Sequence, residues 1–315
     1  MNKTSRIAVI GAGAVGSYYG GRLAEAGHDV TFLMRRDYDA VKENGLKFTS
    51  PQGDFTLSHP QIVRESKDIG PVEWVICSLK STSIDDAQEL VQPCVDKNTR
   101  IIVLMNGLGL EDHFAEWFGP QRIFGGMAFT GINRGEPGVV HHIHYGSITL
   151  GHYSDDPAET ELAVRLWSQS KVKVTITDCL LYTRWEKLCW NIPFNGLAVA
   201  AGGITVDQIM NNPGLRQAAR TIMEEVIASG NADLNFHKES THIDHDATIK
   251  RFHDSSDNMG DYRPSTMIDF VEGKRMEIPA IFGEPLRRAQ LLGVSTPQLI
   301  LLTVLLHELN ARQPG

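Results

Sequence analysis

Three observations place this chain in the α/β class, as an N-terminal, mostly parallel sheet domain followed by an all-helical domain. Short apolar runs alternate with amphipathic segments through the first half. A glycine-rich turn joins the first of these runs to a helical pattern. From about Asp178 onward helical periodicity takes over, so residues 1–178 and 179–315 are expected to form the two domains.

Each element has its own signal. The apolar run at 6–10 ends at Gly11 and is followed by a helical pattern from about Gly13 to Ala26. Gly27-His28 closes that helix, and Asp29–Met34 reads as a second strand. Buried strands are expected at Trp74–Leu79, Ile101–Met105 and Ile123–Phe129, because parallel strands covered on both faces are continuously apolar. Val139–Tyr145 and Ser147–Leu150 read as a hairpin-type addition near the sheet edge. The helical half divides into patterns at 180–200, 205–211, 214–231, 241–254, 264–273, 279–292 and 296–311, the last opened by Thr296 as N-cap and Pro297 in the first turn.

The chain has 315 residues, 42% hydrophobic and 22% charged, enough to bury a large core without staples. Its net charge of −8 argues against general nucleic-acid binding, which needs a basic face, but not against a small anionic ligand. Cys77, Cys94, Cys179 and Cys189 show no CxxC spacing and read as reduced thiols of a cytoplasmic protein, Cys77 within a core strand. No stretch approaches the ~20 apolar residues of a membrane helix, and the run Ile7–Ile10 is too short for a signal core. His141, His142, His144 and His152, and then His237, His242, His245 and His253, form two groups; His142 and His144 share a strand face but lack a nearby cysteine or acid, no metal is expected at either group, and the histidines read as exposed strand and loop residues.

Gly11-Ala12-Gly13-Ala14-Val15-Gly16 is a GxGxxG turn between a strand and a helix, the context of a Rossmann-type dinucleotide site. The first glycine permits the tight turn, the second lets backbone approach the pyrophosphate, and the third lets helix pack on strand. NAD-selective sites carry an acid at the end of the second strand; here that strand ends in Met34-Arg35-Arg36. A guanidinium suits a 2′-phosphate, so NADP(H) is the expected cofactor, although Asp37 and Asp39 follow closely.

In the helical half, Lys187, Asn191 and Asn195 recur every four residues and fan over an arc of ~80° on one helix face. Three polar groups among Leu188, Trp190, Ile192 and Phe194 are poorly explained as core, and Pro193 is expected to kink this helix.

With these residues stand Gly27-His28, Ser78-Leu79-Lys80, Asn106-Gly107-Leu108-Gly109, Arg184-Trp185-Glu186-Lys187-Leu188, Ser265-Thr266-Met267 and Glu277 twelve residues after the serine. In this order they resemble ketopantoate reductase (2-dehydropantoate 2-reductase) over nearly the whole length. The resemblance implies a Rossmann domain, a helical domain and a site in the cleft between them. It implies NADPH-dependent reduction of a small 2-oxo acid, 2-dehydropantoate, to pantoate in pantothenate biosynthesis. By position, Lys187 is then the general acid and Glu277 its partner near the nicotinamide. Asn191, Asn195 and Ser265 hold substrate, Asn106 lies beside cofactor and substrate, and Lys80 lies near the cofactor. Glu277-Ile278-Pro279 departs from the family, where aspartate is common at the last position; Phe282-Gly283 stands where Asn-Gly is common.

The chemistry is consistent in itself: ketone reduction needs a hydride on carbon and a proton on oxygen, and a lysine ammonium can stabilise the alkoxide and supply the proton. A paralogous NADPH-dependent reductase of another 2-oxo or hydroxy acid is the alternative, followed by a dinucleotide-binding protein without turnover. A homodimer is the expected assembly, though no residue pattern carries it.

Overall fold

The computed structural model describes residues 4–313. They form two compact units, one comprising the chain up to Met105 with Leu110–Leu180, the other Asn106–Gly109 with Leu181 onward.

The first unit contains β1 (Arg6–Ile10), α1 (Ala14–Glu25), β2 (Asp29–Leu33), α2 (Tyr38–Asn44), β3 (Leu46–Thr49), β4 (Phe55–Leu57), β5 (Gln61–Val63), β6 (Trp74–Cys77), α3 (Ile84–Val91), β7 (Arg100–Val103), α4 (Leu110–Phe118), β8 (Ile123–Arg134), β9 (Val139–His152), α5 (Pro157–Trp167) and β10 (Val174–Ile176). One sheet runs β4-β3-β9-β8-β7-β6-β1-β2-β5, with β10 added to β9. Among the described residues only β3–β4 and β8–β9 pair antiparallel. β1 and β6 are buried almost end to end, which is why their residues are continuously apolar. α1 packs on β1 and β2 and also on β4, β8 and β9, so the sheet curls around it. Arg22 of α1 is fully buried there, bonded to Glu25 (2.7 Å) and Ser50 Oγ (2.8 Å), with its guanidinium over the Phe55 ring.

Two expectations need correction here. The segments Val139–Tyr145 and Ser147–Leu150 are one strand, β9, and its hairpin partner is β8. The apparent break is the left-handed pair Tyr145 (φ 65°) and Gly146 (φ 103°), where the ladder with β8 shifts register. β9 is also internal, since β3 and then β4 continue the sheet beyond it. The histidines are not uniformly exposed. His142 and His152 are buried and bonded, His142 Nδ1 to Ser50 Oγ (2.8 Å) and His152 Nε2 to the Gln121 carbonyl (3.2 Å). Among the described residues, no three His, Cys, Asp or Glu side chains are grouped to hold a metal, and the four cysteines are buried free thiols.

The second unit is helical: α6 (Leu180–Ala200), α7 (Val206–Asn211), α8 (Pro213–Phe236), α9 (His245–Ser256), α10 (Ser265–Val271), a π-helical turn (Pro279–Gly283), α11 (Glu284–Leu291) and α12 (Pro297–Ala311). α8 is the hub, packed against α7, α9, α11 and α12. α9 starts four residues later than its periodicity predicts, because Asp244 caps it by accepting from the Ala247 amide (2.7 Å). The segment 279–292 is not one α-helix: its first turn is wound as π, ahead of α11. Thr296 does not cap α12 with its side chain. Glu225 of α8 does, accepting from the amides of Gln298 (3.0 Å) and Leu299 (2.8 Å), so the cap comes from across the bundle. Among the described residues no helix is long and apolar enough to cross a membrane.

Candidate functional site

In the sheet unit, the expected dinucleotide residues gather at the carboxyl end of β1. Strand order reverses at β1, which lies between β2 and β6, and such switch points open a crevice in parallel sheets. Gly11 turns there with φ 94°, and a Cβ on it would lie 2.6 Å from the Leu79 amide nitrogen. A Cβ on Gly16 would lie 2.1 Å from Ser78 Oγ, so the helix meets the strand loop with no room for a side chain. A Cβ on Gly13 would meet nothing within 4 Å. Gly13 is also the N-cap of α1, with no side-chain cap and no acid in the first turn. An open backbone at an uncapped, partially positive helix end fits a pyrophosphate, and Ala12, Ala14 and Val15 complete that cradle.

At the end of β2, Arg35 and Arg36 are exposed. Asp37 is paired with Arg134 at the end of β8, and Asp39 with Arg64, whose Nη2 donates to both carboxylate oxygens at 2.7 Å. Lys80 is exposed just after β6, at the same edge of the sheet.

The other candidates all belong to the helical unit, because the turn Asn106–Gly109 is grouped with it. Leu108 N donates to the Ala280 carbonyl at 2.9 Å. Gly107 (φ 117°) lies so close to the π turn that a Cβ would be 2.5 Å from Ala280 Cβ. Thus the loop is seated on Pro279–Gly283, and this seating presents Asn106. Lys187 Nζ donates to Asn106 Oδ1 at 2.9 Å. Lys187 is half-buried. Burial first, and then the Arg184 guanidinium, lower its ammonium to about 7, against the opposing pull of the Glu277 carboxylate. Glu277 is itself buried, two residues before the π turn.

Further along α6, Asn191 is half-buried and Asn195 is 1% exposed. Asn195 Nδ2 donates to the Asn191 carbonyl (3.0 Å), and its Oδ1 accepts from the Thr266 amide (2.9 Å). It therefore ties α6 to the first turn of α10, whose first residue, Ser265, is exposed. α6 runs through Pro193 as one helix, although this residue has no N–H for the Cys189 carbonyl. Phe282 is fully buried, close against Gly196 of α6, so this departure from the family is a packing residue.

Two features escaped the sequence reading. One is the pairing of Asp37 and Asp39 with arginines remote in sequence. The other lies behind Lys187: Trp185 Nε1 donates to buried Asp233 (2.8 Å), which also takes Arg288 Nη1 (3.1 Å), and Arg288 Nε reaches Glu284 (2.7 Å). No local pattern signals either, since each joins residues from separate elements.

Comparisons with known proteins agree with this architecture. The family model described as ketopantoate reductase PanE/ApbA matches residues 7–155, and its C-terminal counterpart matches residues 180–310. A 2-dehydropantoate 2-reductase of Nostoc sp. is 34% identical over 311 residues, covering 97% of this chain and 94% of that protein. The solved structure of a 2-dehydropantoate 2-reductase from Geobacter metallireducens GS-15 is 43% identical with a TM-score of 0.92, over 96% of this chain and 99% of that one. A D-mandelate dehydrogenase solved with NADH and anilino(oxo)acetate is 25% identical with a TM-score of 0.87, over 97% and 98% of the two chains. The chain is an oxidoreductase and belongs to the ketopantoate reductase family.

Proposed function

We propose that this protein reduces 2-dehydropantoate to pantoate with NADPH. The carrying observation is the half-buried Lys187 ammonium, lowered to about 7 and held by Asn106 within the helical unit. When bound, the nicotinamide supplies the hydride for the carbonyl carbon. Lys187 hydrogen-bonds the carbonyl oxygen, stabilises the negative charge that develops on it, and transfers a proton from Nζ to it. The resulting neutral amine regains its proton from solvent. An ammonium near 7 is present in quantity at neutral pH and gives up its proton readily, the balance an acid catalyst needs. Glu277 raises the affinity of Lys187 for its proton and so keeps the donor form available. Asn106 fixes the direction of the donor.

Asn191 and Ser265 retain surface for the substrate's carboxylate and 4-hydroxyl. Asn195 serves the same group from beneath, its amide committed to Asn191 and to the backbone after Ser265. For the cofactor, the Gly11–Gly16 cradle takes the pyrophosphate, Arg35 and Arg36 take the 2′-phosphate, and Lys80 adds positive charge at the same edge. A cytoplasmic homodimer completes this reading, and light scattering of the purified protein reports its assembly.

The likeness to a D-mandelate dehydrogenase solved with NADH and anilino(oxo)acetate favours an aryl 2-oxo acid as the second reading. NADPH and NADH oxidation with 2-dehydropantoate, its 4-deoxy analogue and 2-oxo-2-phenylacetate separates the two. The proposal expects the highest kcat/KM with 2-dehydropantoate and NADPH, and a large loss on removing the hydroxyl, whose protein partners are then left unpaired. Higher kcat/KM with the aryl substrate overturns it.

A further inference from the structure

We infer that Arg134 is a specificity-determining residue for the cofactor, acting by disarming Asp37. The inference rests on the NADPH reading above. An acid at the end of the second strand is what NAD-selective sites use: its carboxylate accepts from the ribose hydroxyls and repels a 2′-phosphate. This chain has such acids, Asp37 and Asp39, directly after Arg35-Arg36. Asp37 occupies the N-cap position of α2, yet its side chain makes no capping bond. It turns instead to Arg134, the last residue of β8, 97 positions away in the chain. The carboxylate is the shielded side of this pair, with the Asp37 side chain 15% exposed against 34% for Arg134. Asp39 is paired at the surface with Arg64, whose guanidinium also stacks over the Tyr38 ring at 4.2 Å.

The consequence is electrostatic. Arg35, Arg36, Arg64 and Arg134 stand against two carboxylates around this turn, a net charge of +2. A ribose 2′-phosphate monoester carries a charge of roughly −1.5 to −2 at neutral pH, so the balance is complementary. Without Arg134, Asp37 is a free carboxylate two residues from Arg35: it competes for that guanidinium, repels the phosphate, and is available to a ribose diol. Arg134 thus sets the choice indirectly, through the acid it neutralises.

The test is a double-mutant cycle read by calorimetric binding of NADP+ and NAD+ to the full chain. The wild type is expected to favour NADP+. Arg134→Ala is expected to weaken NADP+ roughly tenfold, the scale of one partly screened charge contact, with NAD+ unchanged or tighter. Asp37→Asn alone keeps the preference, and Arg134→Ala/Asp37→Asn restores it, because the released acid is gone. If Arg134→Ala does not fold, Arg134→Gln takes its place and is expected to show the same loss and the same rescue. Two results overturn the inference: an unchanged NADP+/NAD+ ratio on removing Arg134, or a double variant as weak for NADP+ as the single, which means direct phosphate contact. A wild type without preference for NADP+ fails at an earlier point, overturning the cofactor reading itself.

Discussion

Lys187 and Asn106, 81 residues apart in sequence, are joined by a 2.9 Å hydrogen bond from Nζ to Oδ1. The bond is neutral on the acceptor side, so it orients the ammonium without adding a charge that would stabilise it. That distinction makes the site testable through pH.

Replacing Asn106 by Asp is expected to raise the affinity of Lys187 for its proton. In the proposed mechanism the ammonium is the proton donor, so reductase activity is expected to fall as pH rises through its pKa, about 7 in the free protein. A carboxylate beside it moves this alkaline limb to higher pH, and Glu277→Gln, which removes an interaction of the same sign, moves it to lower pH. The measurement is kcat/KM against pH. Limbs that coincide in all three proteins would remove Lys187 from the acid's role.

Lys187→Ala is expected to lower kcat by about 10²–10⁴-fold, the contribution of a positioned acid. The dissociation constant for NADPH, followed by its fluorescence, should change far less. Arginine should not restore turnover, since it does not release a proton near neutral pH.

The same residue leaves a signature in stability. The Lys187 pKa in the folded chain, about 7, lies below its ordinary value of 10.5. Between these values the unfolded chain binds the extra proton, so the native lysine gains relative stability as pH rises from about 7 towards 10.5. Below 7 both states carry the charge, and its desolvation costs the folded state the full amount. Lys187→Met is therefore expected to stabilise the fold at pH 6 by on the order of a few kcal/mol, read as a higher Tm, and to lose that advantage by pH 10. A Tm gain that does not vary with pH would show that packing, and not charge, is the cause.

Gly107→Ala is expected to damage both fold and activity. Alanine is strained at φ 117°, and its Cβ would lie 2.5 Å from Ala280 Cβ and 2.8 Å from the Ala280 carbonyl carbon. The loop must lift from the π turn, carrying Asn106 from Lys187. A loss of about 1–3 kcal/mol in chemical denaturation is expected, with a fall in kcat. Adding Ala280→Gly relieves the contact with Cβ but not those with the Ala280 carbonyl, and should recover only part of it.

Asp233→Ala probes the support behind α6. It leaves the Trp185 indole N–H and one arm of Arg288 without their buried partner. Breaking such a pair costs about 3–5 kcal/mol, whereas Asp233→Asn, which still accepts from Trp185, should cost less. Urea denaturation of the two variants ranks them; equal losses would place the effect in the charge alone.

Local chemistry was enough to read much of this protein from its residues. The buried runs of β1 and β6, the Gly11–Gly16 turn and the four-residue spacing of Lys187, Asn191 and Asn195 are short-range patterns, set by the periods of strand and helix and by which backbone can turn without a Cβ. The tertiary structure decided what those periods do not encode. It seated Asn106–Gly109 on the π turn so that Asn106 meets Lys187, brought Glu225 to cap α12, and committed the Asn195 amide to α10. It also matched Asp37 with Arg134 and Asp39 with Arg64. Each of these joins residues far apart in the chain. A hydrogen bond or ion pair acts over a few ångströms in space, and only the folded packing of the elements brings such partners within that reach.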